Sequence, residues 1–431
     1  MNQYHIKIKK ATLQGEISVP PSKSHTLRAI LFGALGYGRS VIYHYLPSPD
    51  TQAMVEACRL FGAAIDVFPD RMEIQGVKGR IQTTEDVINA GNSWIVLRFC
   101  SAVGALAKHP VVVTGDHSIR HQRPMEQLLD GLRQLGVSAV SMRDDGYAPV
   151  IIQGPMRSGR VMISGEDSQP VSALLIASAF AEGPIDIEVR NPGERPWVAL
   201  TLDWFDKLGI RYVNDGFQRY HLFGNSQYDG FEYHVPGDFS SAAFPIAAAL
   251  VTRSELTLNN VDMGDPQGDK ALIDVFQRMG AHIEFDEGSK KLFVRRGQPL
   301  TGIHVDINDF VDSITILAVV GCFAEGETLI YNGAIARQKE CDRIRCISNE
   351  LRKMGAHIIE MEDGLRVRKS PLIGAEVHSH HDHRMVMSLA VAGLGASGET
   401  KVSSAECVAK TCPAFVSDFN ALGAGIEIKS P

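Results

Sequence analysis

The sequence predicts an α/β protein assembled from six copies of one unit. Two recurring series carry that expectation. One is a glycine signature at near-constant spacing, and the other is a set of small-residue apolar helices that runs in step with it. Chance recurrence in an Ala/Gly-rich chain would not lock two series at one period.

The signature, apolar-Gly-apolar-x-apolar, appears as LFGAAI, QLGVSA, KLGIRY, RMGAHI, KMGAHI and ALGAGI. Its glycines are Gly62, Gly136, Gly209, Gly280, Gly355 and Gly423, separated by 74, 73, 71, 75 and 68 residues. Each follows a stretch with helical apolar spacing, such as RPMEQLLDGLRQLG or DRIRCISNELRKMG. A glycine there suits a helix end that needs positive φ, after which a β-rich segment begins.

The helical series reads SKSHTLRAILFGAL, NSWIVLRFCSAVGAL, DSQPVSALLIASAF, DFSSAAFPIAAAL, DSITILAVVGCF and DHRMVMSLAVAGL. Each member opens on a Ser, Asn or Asp suited to an N-cap, so Asp312 and Asp382 read as caps of the fifth and sixth helices. A helix apolar on every side must be buried among other elements. Each unit of about 72 residues thus carries one buried helix, one amphipathic helix and several short strands.

Composition narrows the function classes. Hydrophobic residues make up 44% and charged residues 22% of 431, enough for two or three sizeable cores. Lys plus Arg is 43 against 50 for Asp plus Glu, a formal charge of −7, which argues against nucleic-acid or anionic-membrane binding. The start, MNQYHIKIKK, has no apolar run of the signal type, and the longest apolar stretches reach about half a bilayer span. The seven cysteines are scattered without a CxxC pair, which reads as reduced thiols in a cytoplasmic protein.

Parallel buried helices would bring several N-termini to one cleft, and such ends favour phosphate and carboxylate. Basic residues stand accordingly. Lys23 and Arg28 flank the first cap, Arg98 lies in the second helix and Arg384 follows Asp382. Arg120, Arg123, Lys339, Arg343 and Lys410 stand in loops. Asp312 and Glu340 fall in the same positions, where a carboxylate among anion-binding arginines suits general acid–base work on a hydroxyl.

The run His378-Ser379-His380-His381-Asp382-His383 matches the HxHxDH pattern of two-metal hydrolases, but no His follows it. It reads better as a cap followed by an arginine. Walker, GxGxxG and GxSxG motifs are absent. Cys341, between Glu340 and Asp342, has acidic neighbours that raise a thiol pKa, which argues against covalent thiol catalysis.

With these motifs in hand, the sequence resembles the 5-enolpyruvylshikimate-3-phosphate synthase family over essentially its whole length. The resemblance is carried by PPSKSHTLRA, GNSWIVLR, TGDHSIRHQRPMEQLLDGLRQLG, DSQPVSALL, VPGDFSSAAF, FVDSITILAV, KECDRI, DHRMVMSLAVAGL and CVAKTCPAF. It implies a two-domain inverse α/β barrel built from six βαβαββ repeats. Domain one would be 21–237 and domain two 1–20 plus 238–431, with hinges near Pro20 and Pro236-Gly237. It also implies transfer of the enolpyruvyl group of phosphoenolpyruvate to the 5-hydroxyl of shikimate 3-phosphate, without metal or cofactor, by a cytoplasmic monomer.

The resemblance assigns residues as well. Lys23, Arg123, Gln169, Arg343, Arg384 and Lys410 would hold phosphoenolpyruvate, with Trp94 lining its pocket. Lys23, Ser24, Arg28, Asp167, Ser168, Gln169, Asp312 and Lys339 would hold shikimate 3-phosphate. Asp312 would take the hydroxyl proton, and Glu340 and Lys23 would move protons to and from the enolpyruvyl carbons. Closure would bring Lys23, Arg123 and Gln169 against Asp312, Glu340, Arg343, Arg384 and Lys410.

The departures from the family are specific. Where the family reads NAGTAMR this chain reads NSWIVLR, so Trp94 stands in place of a glycine and Ile95 in place of a threonine. A tryptophan buries about 200 Å² and could fill so small a pocket. The Asn89-Ala90-Gly91 just upstream would restore the motif only with three extra residues before Arg98. Asp167 and Glu194 replace serines near the shikimate phosphate, and Trp197 replaces a tyrosine. Carboxylates there would repel phosphate unless paired, Arg195 being one candidate. These changes leave open an enzyme impaired by Trp94, a different acceptor hydroxyl, or a non-catalytic anion-binding protein. They also imply weakened glyphosate binding. A UDP-N-acetylglucosamine enolpyruvyl transferase fits less well, because Gly115–Arg123 lacks that enzyme's loop cysteine.

Overall fold

The computed structural model describes residues 4–82 and 85–430. The chain divides into two units, Pro21–Val235 and Met1–Pro20 with Pro236–Pro431, and each has its own hydrophobic core. Each unit contains three four-stranded sheets of one design. Across every sheet the first two strands run parallel and the next two pairings are antiparallel.

One repeat shows how the sequence builds this. The strand Gly159–Ser164 leads into the helix Ser168–Phe180 and then into the strand Ile185–Arg190. The two strands pair in parallel, with Ile163 opposite Val189. The helix Arg195–Leu208 and the hairpin Tyr212–Asp215 and Arg219–Leu222 follow. In Ser168–Phe180 every residue except Gln169 is buried, so the all-apolar helix lies inside the unit as its composition requires. The amphipathic helix Glu126–Gln134 packs against it through Gly131, where a Cβ would come within 2.9 Å of Leu174 Cδ1. Removing Leu174 down to alanine would cost about 2–5 kcal/mol, as for other buried leucines.

The six signature glycines all adopt positive φ, from 67° at Gly209 to 102° at Gly280. At each, the residue after the glycine donates its N–H to the carbonyl five residues earlier: Ala63 to Cys58, Val137 to Leu132, Ile210 to Phe205, Ala281 to Phe276, Ala356 to Leu351 and Ala424 to Phe419. This is the Schellman closure, which satisfies orphan carbonyls and turns the chain into the next strand.

The caps follow the sequence reading with two corrections, the first being that Ser93, and not Asn92, caps the second helix. Ser22, Ser93, Asp167 and Asp382 accept from the backbone N–H of His25, Val96, Gln169 and Arg384 at 3.4, 3.4, 3.0 and 2.8 Å. Asp238 occupies the fourth cap, but its carboxylate takes the Ser241 hydroxyl at 2.8 Å instead. Asp312 is not a cap. The fifth helix, Ile314–Gly321, starts from Ser313, and Asp312 lies in the preceding 3-10 turn Asn308–Ser313. Its carboxylate is thereby released for other partners.

Candidate active site

In the Pro21–Val235 unit the expected anion-binding residues gather at helix N-termini. Lys23 opens the helix Lys23–Leu35, and its Nζ lies 3.5 Å from Asp50 Oδ2. The same oxygen accepts the Ser93 hydroxyl at 3.0 Å, which links the caps of two successive repeats. Arg28 is buried among neutral acceptors: Ser24 O at 3.2 Å, Trp197 O at 3.3 Å, and Thr201 Oγ1 at 3.1 and 3.0 Å. Burial pulls its pKa down to about 9.

Trp94 lies between two guanidinium groups. Arg98 stands 4.2 Å and Arg123 4.1 Å from the ring. All three side chains are buried, and each such contact contributes roughly 0.5–2 kcal/mol. Arg98 also ion-pairs with Asp167 and donates to Pro124 O at 3.1 Å. Arg123 Nε donates to Ser118 Oγ at 3.2 Å. Asp167 is thus paired with an arginine of the preceding repeat. Glu194, in left-handed backbone at φ 45°, accepts from Ser168 N at 3.3 Å and Ser168 Oγ at 3.2 Å. A built-in carboxylate therefore occupies the donors that the start of Ser168–Phe180 offers. Among the described residues, the buried Oε1 of Gln169 has no hydrogen-bond partner.

In the other unit the expected residues form one ion cluster. Arg343, 1% exposed, donates to Asp382 Oδ2 at 2.7 Å, Asp312 Oδ1 at 2.6 Å and Glu340 Oε2 at 2.6 Å. Arg384 reaches Asp312 Oδ2 at 2.9 Å, and Lys410 reaches Glu340 Oε1 at 3.0 Å. Burial alone would lower the Arg343 pKa, but Asp382, Glu340 and Asp312 outweigh it and raise it well above its usual value. Burial alone would likewise raise the Asp312 pKa, yet Arg384, Arg343 and Lys339 hold the carboxyl well below the ordinary range. Behind these sits Asp269, buried and hydrogen-bonded by Ser240 and by Ser313 at 3.3 Å. Burial, with Asp312 nearby, pushes its pKa up to about 6 against the pull of Arg384.

Three side chains of the histidine run are engaged by other groups of the protein. His378 Nδ1 accepts from His380 N at 2.7 Å, His380 Nε2 lies 2.9 Å from Glu350 Oε1, and Asp382 serves as cap and Arg343 partner. Sequence reasoning missed Asp50, Asp269 and the role of Asp382 toward Arg343. Only Asp382 left a signal, its place in the repeat.

Each unit thus carries its own charged cluster: Lys23, Arg28, Arg98 and Arg123 in one, and a carboxylate gripped by two arginines in the other. The EPSP synthase (3-phosphoshikimate 1-carboxyvinyltransferase) family model matches residues 8–419. The chain is 42% identical over 422 residues to the 3-phosphoshikimate 1-carboxyvinyltransferase of Acetivibrio thermocellus, covering 98% of this chain and 99% of that protein. It is 43% identical over 423 residues to that of Chlamydia pneumoniae, covering 98% and 94%. The solved EPSP synthase of Acinetobacter baumannii is similar at TM-score 0.83 and 28% identity, over 99% of this chain and all of that one. The chain belongs to the EPSP synthase family, and its fold is that family's inverse α/β barrel of six βαβαββ repeats.

Proposed function

We propose that this protein transfers the carboxyvinyl group of phosphoenolpyruvate to the 5-hydroxyl of shikimate 3-phosphate and releases phosphate, a step of aromatic amino-acid biosynthesis. The observation that carries the mechanism is Asp312, held ionised by Arg343 and Arg384. In that grip the carboxylate is a weak base. Anionic substrates that engage the same arginines draw their charge away, so the Asp312 pKa rises once the site is loaded. Asp312 then takes the hydroxyl proton. Glu340, shared by Arg343 and Lys410, and Lys23 move protons at the enolpyruvyl carbons.

Lys23, Arg123, Gln169, Arg343, Arg384 and Lys410 hold phosphoenolpyruvate, with Trp94 against its pocket. Lys23, Ser24, Arg28, Asp167, Ser168, Gln169, Asp312 and Lys339 hold shikimate 3-phosphate. Arg28, hydrogen-bonded to Ser24, Trp197 and Thr201, all neutral acceptors, suits an incoming anion. Among the described residues no helix is long and apolar enough to cross a membrane. We place the enzyme in the cytoplasm as a monomer acting without cofactor.

The test is phosphate release from phosphoenolpyruvate plus shikimate 3-phosphate, measured for the parent and for Trp94→Gly. Turnover in the parent supports the reading. Activity in the variant alone means a synthase obstructed by one side chain. Silence in both, with both proteins folded, overturns it.

A further inference from the structure

Arg343 at 2.6 Å and Arg384 at 2.9 Å grip the two carboxylate oxygens of Asp312. A second set of bonds reaches Asp312 from behind, through the residue that follows it. Ser313 starts the helix Ile314–Gly321, yet its side chain makes no cap bond to that helix. Ser22 and Ser93, which start two other buried helices, do make one. The Ser313 hydroxyl instead donates to Asp269 Oδ1 at 3.3 Å. The other carboxylate oxygen of Asp269 takes the Ser240 hydroxyl. Asp269 is 1% exposed and belongs to the 3-10 turn Gly268–Lys270.

The turn that carries Asp269 is fixed by backbone atoms. The buried Gln267 donates through Nε2 to Gly237 O at 2.9 Å and accepts from Phe239 N at 3.0 Å. It thereby clamps the turn to the start of the helix Phe239–Thr252. Lys270 Nζ closes the preceding loop on Met263 O at 3.2 Å and Asp265 O at 2.7 Å. The turn that carries Asp312, Asn308–Ser313, is less regular and breaks at Phe310, where φ is −146° and ψ is 47°. A 3-10 turn has poorer hydrogen-bond geometry than an α-helix, so an outside anchor matters more to a broken one. Asp269 supplies that anchor.

We propose that Asp269 is a positioning residue for Asp312: through Ser313 it fixes the turn that presents the base, and its own carboxylate keeps negative charge behind that base. This rests on Asp312 being the group that takes the hydroxyl proton. Bound anions share Arg343 and Arg384, so the grip in front loosens as the site loads while the bond from behind remains. Charge acts in the same direction. Asp269 faces Asp312 from the turn Asn308–Ser313, Arg384 from the helix His383–Gly395 and Asp238 from the start of Phe239–Thr252. A carboxylate close to another makes it the stronger base. Burial raises the Asp269 pKa to about 6 against the pull of Arg384, so the carboxyl is ionised at neutral pH and protonates on acidification.

The experiment measures kcat, both KM values and the pH dependence of kcat for phosphate release by the full-length enzyme, with folding checked by urea unfolding. It compares Ser313→Ala, Ser313→Thr, Asp269→Asn and Asp312→Asn, in the parent or, if only that turns over, in Trp94→Gly. Ser313→Ala should lower kcat by about 10–10²-fold with both KM values kept, as for misplacement of a reacting group. Ser313→Thr, which keeps the hydroxyl, should restore kcat. Asp269→Asn should lower kcat and move its acid limb to lower pH, an effect that loss of packing alone would not produce. Three results would each overturn the proposal and leave Asp312 as the base: unchanged kcat in Ser313→Ala, no recovery in Ser313→Thr, or an unmoved acid limb in folded Asp269→Asn. If Asp269→Asn does not fold, the two Ser313 variants decide. Unchanged kcat in Asp312→Asn, or silence of both the parent and Trp94→Gly, would overturn the base reading and this proposal with it.

Discussion

Two caps, one in each unit, are near copies whose surroundings differ. Asp167 sits at φ −106°, ψ 122° and Asp382 at φ −107°, ψ 121°. Each accepts from the amide two residues on, and each ion-pairs with one arginine. Around Asp167, Arg98 meets a tryptophan face and a carbonyl. Around Asp382, Arg343 meets two further carboxylates. The same backbone device thus pairs with an arginine among neutral neighbours in one place and with an arginine shared by three carboxylates in the other. What decides between them is the side chains that neighbouring repeats contribute.

The largest expected effect separates the two regions by chemistry. Asp312→Asn should lower kcat for phosphate release by about 10²–10⁴-fold with modest change in either KM, because it removes the base and keeps the shape. A raised KM at unchanged kcat would leave Asp312 with its binding role alone.

Matched cap substitutions sharpen the comparison. Asp167→Asn leaves Arg98 buried without its carboxylate and should cost about 3–5 kcal/mol in urea unfolding. Asp382→Asn leaves Arg343 with Asp312 and Glu340 and should cost about 1–2 kcal/mol. Equal losses would mean that the caps, rather than their surroundings, set the energetics.

Next in size is a pH effect at Glu350. Burial would raise its pKa, but hydrogen bonds from His380, Lys353 and the His378 amide hold it at about 2. A depressed carboxyl contributes stability that is fully present above its unfolded pKa of about 4.5, and that stability is lost as pH falls toward 2. The parent should therefore lose at most about 3 kcal/mol over that window relative to Glu350→Gln. Parallel stability–pH curves would sink this assignment. The smallest effect is at Trp94→Leu. It keeps an apolar fill but loses both guanidinium contacts, and should lower stability by about 1–2 kcal/mol in urea.

The repeat was legible because its signals are local. Gly62 through Gly423 each end a helix within a few residues of the pattern that marks them, and caps such as Asp167 bond two residues away. The site was legible in its residue types and less so in its pairings. Asp50 meets Ser93 across 43 positions, and Arg98 meets Asp167 across 69. No local pattern encodes such distances. Asp312 was misread as a cap because its FVDSITILA context copies the cap pattern, whereas the helix begins one residue later.

The first strands of the chain also set an order of assembly during synthesis. His5–Lys9 pairs with Glu399–Ser403, where Ile6 faces Val402, and Gln14–Ser18 pairs with Glu255–Asn259. At about 5–20 residues per second, Ile6 leaves the ribosome roughly 20–80 s before Val402 exists. Pro21–Val235 is continuous and has all its strands well before then. The nascent chain therefore holds a finished middle and two waiting strands, and those strands are what a chaperone would have to shield.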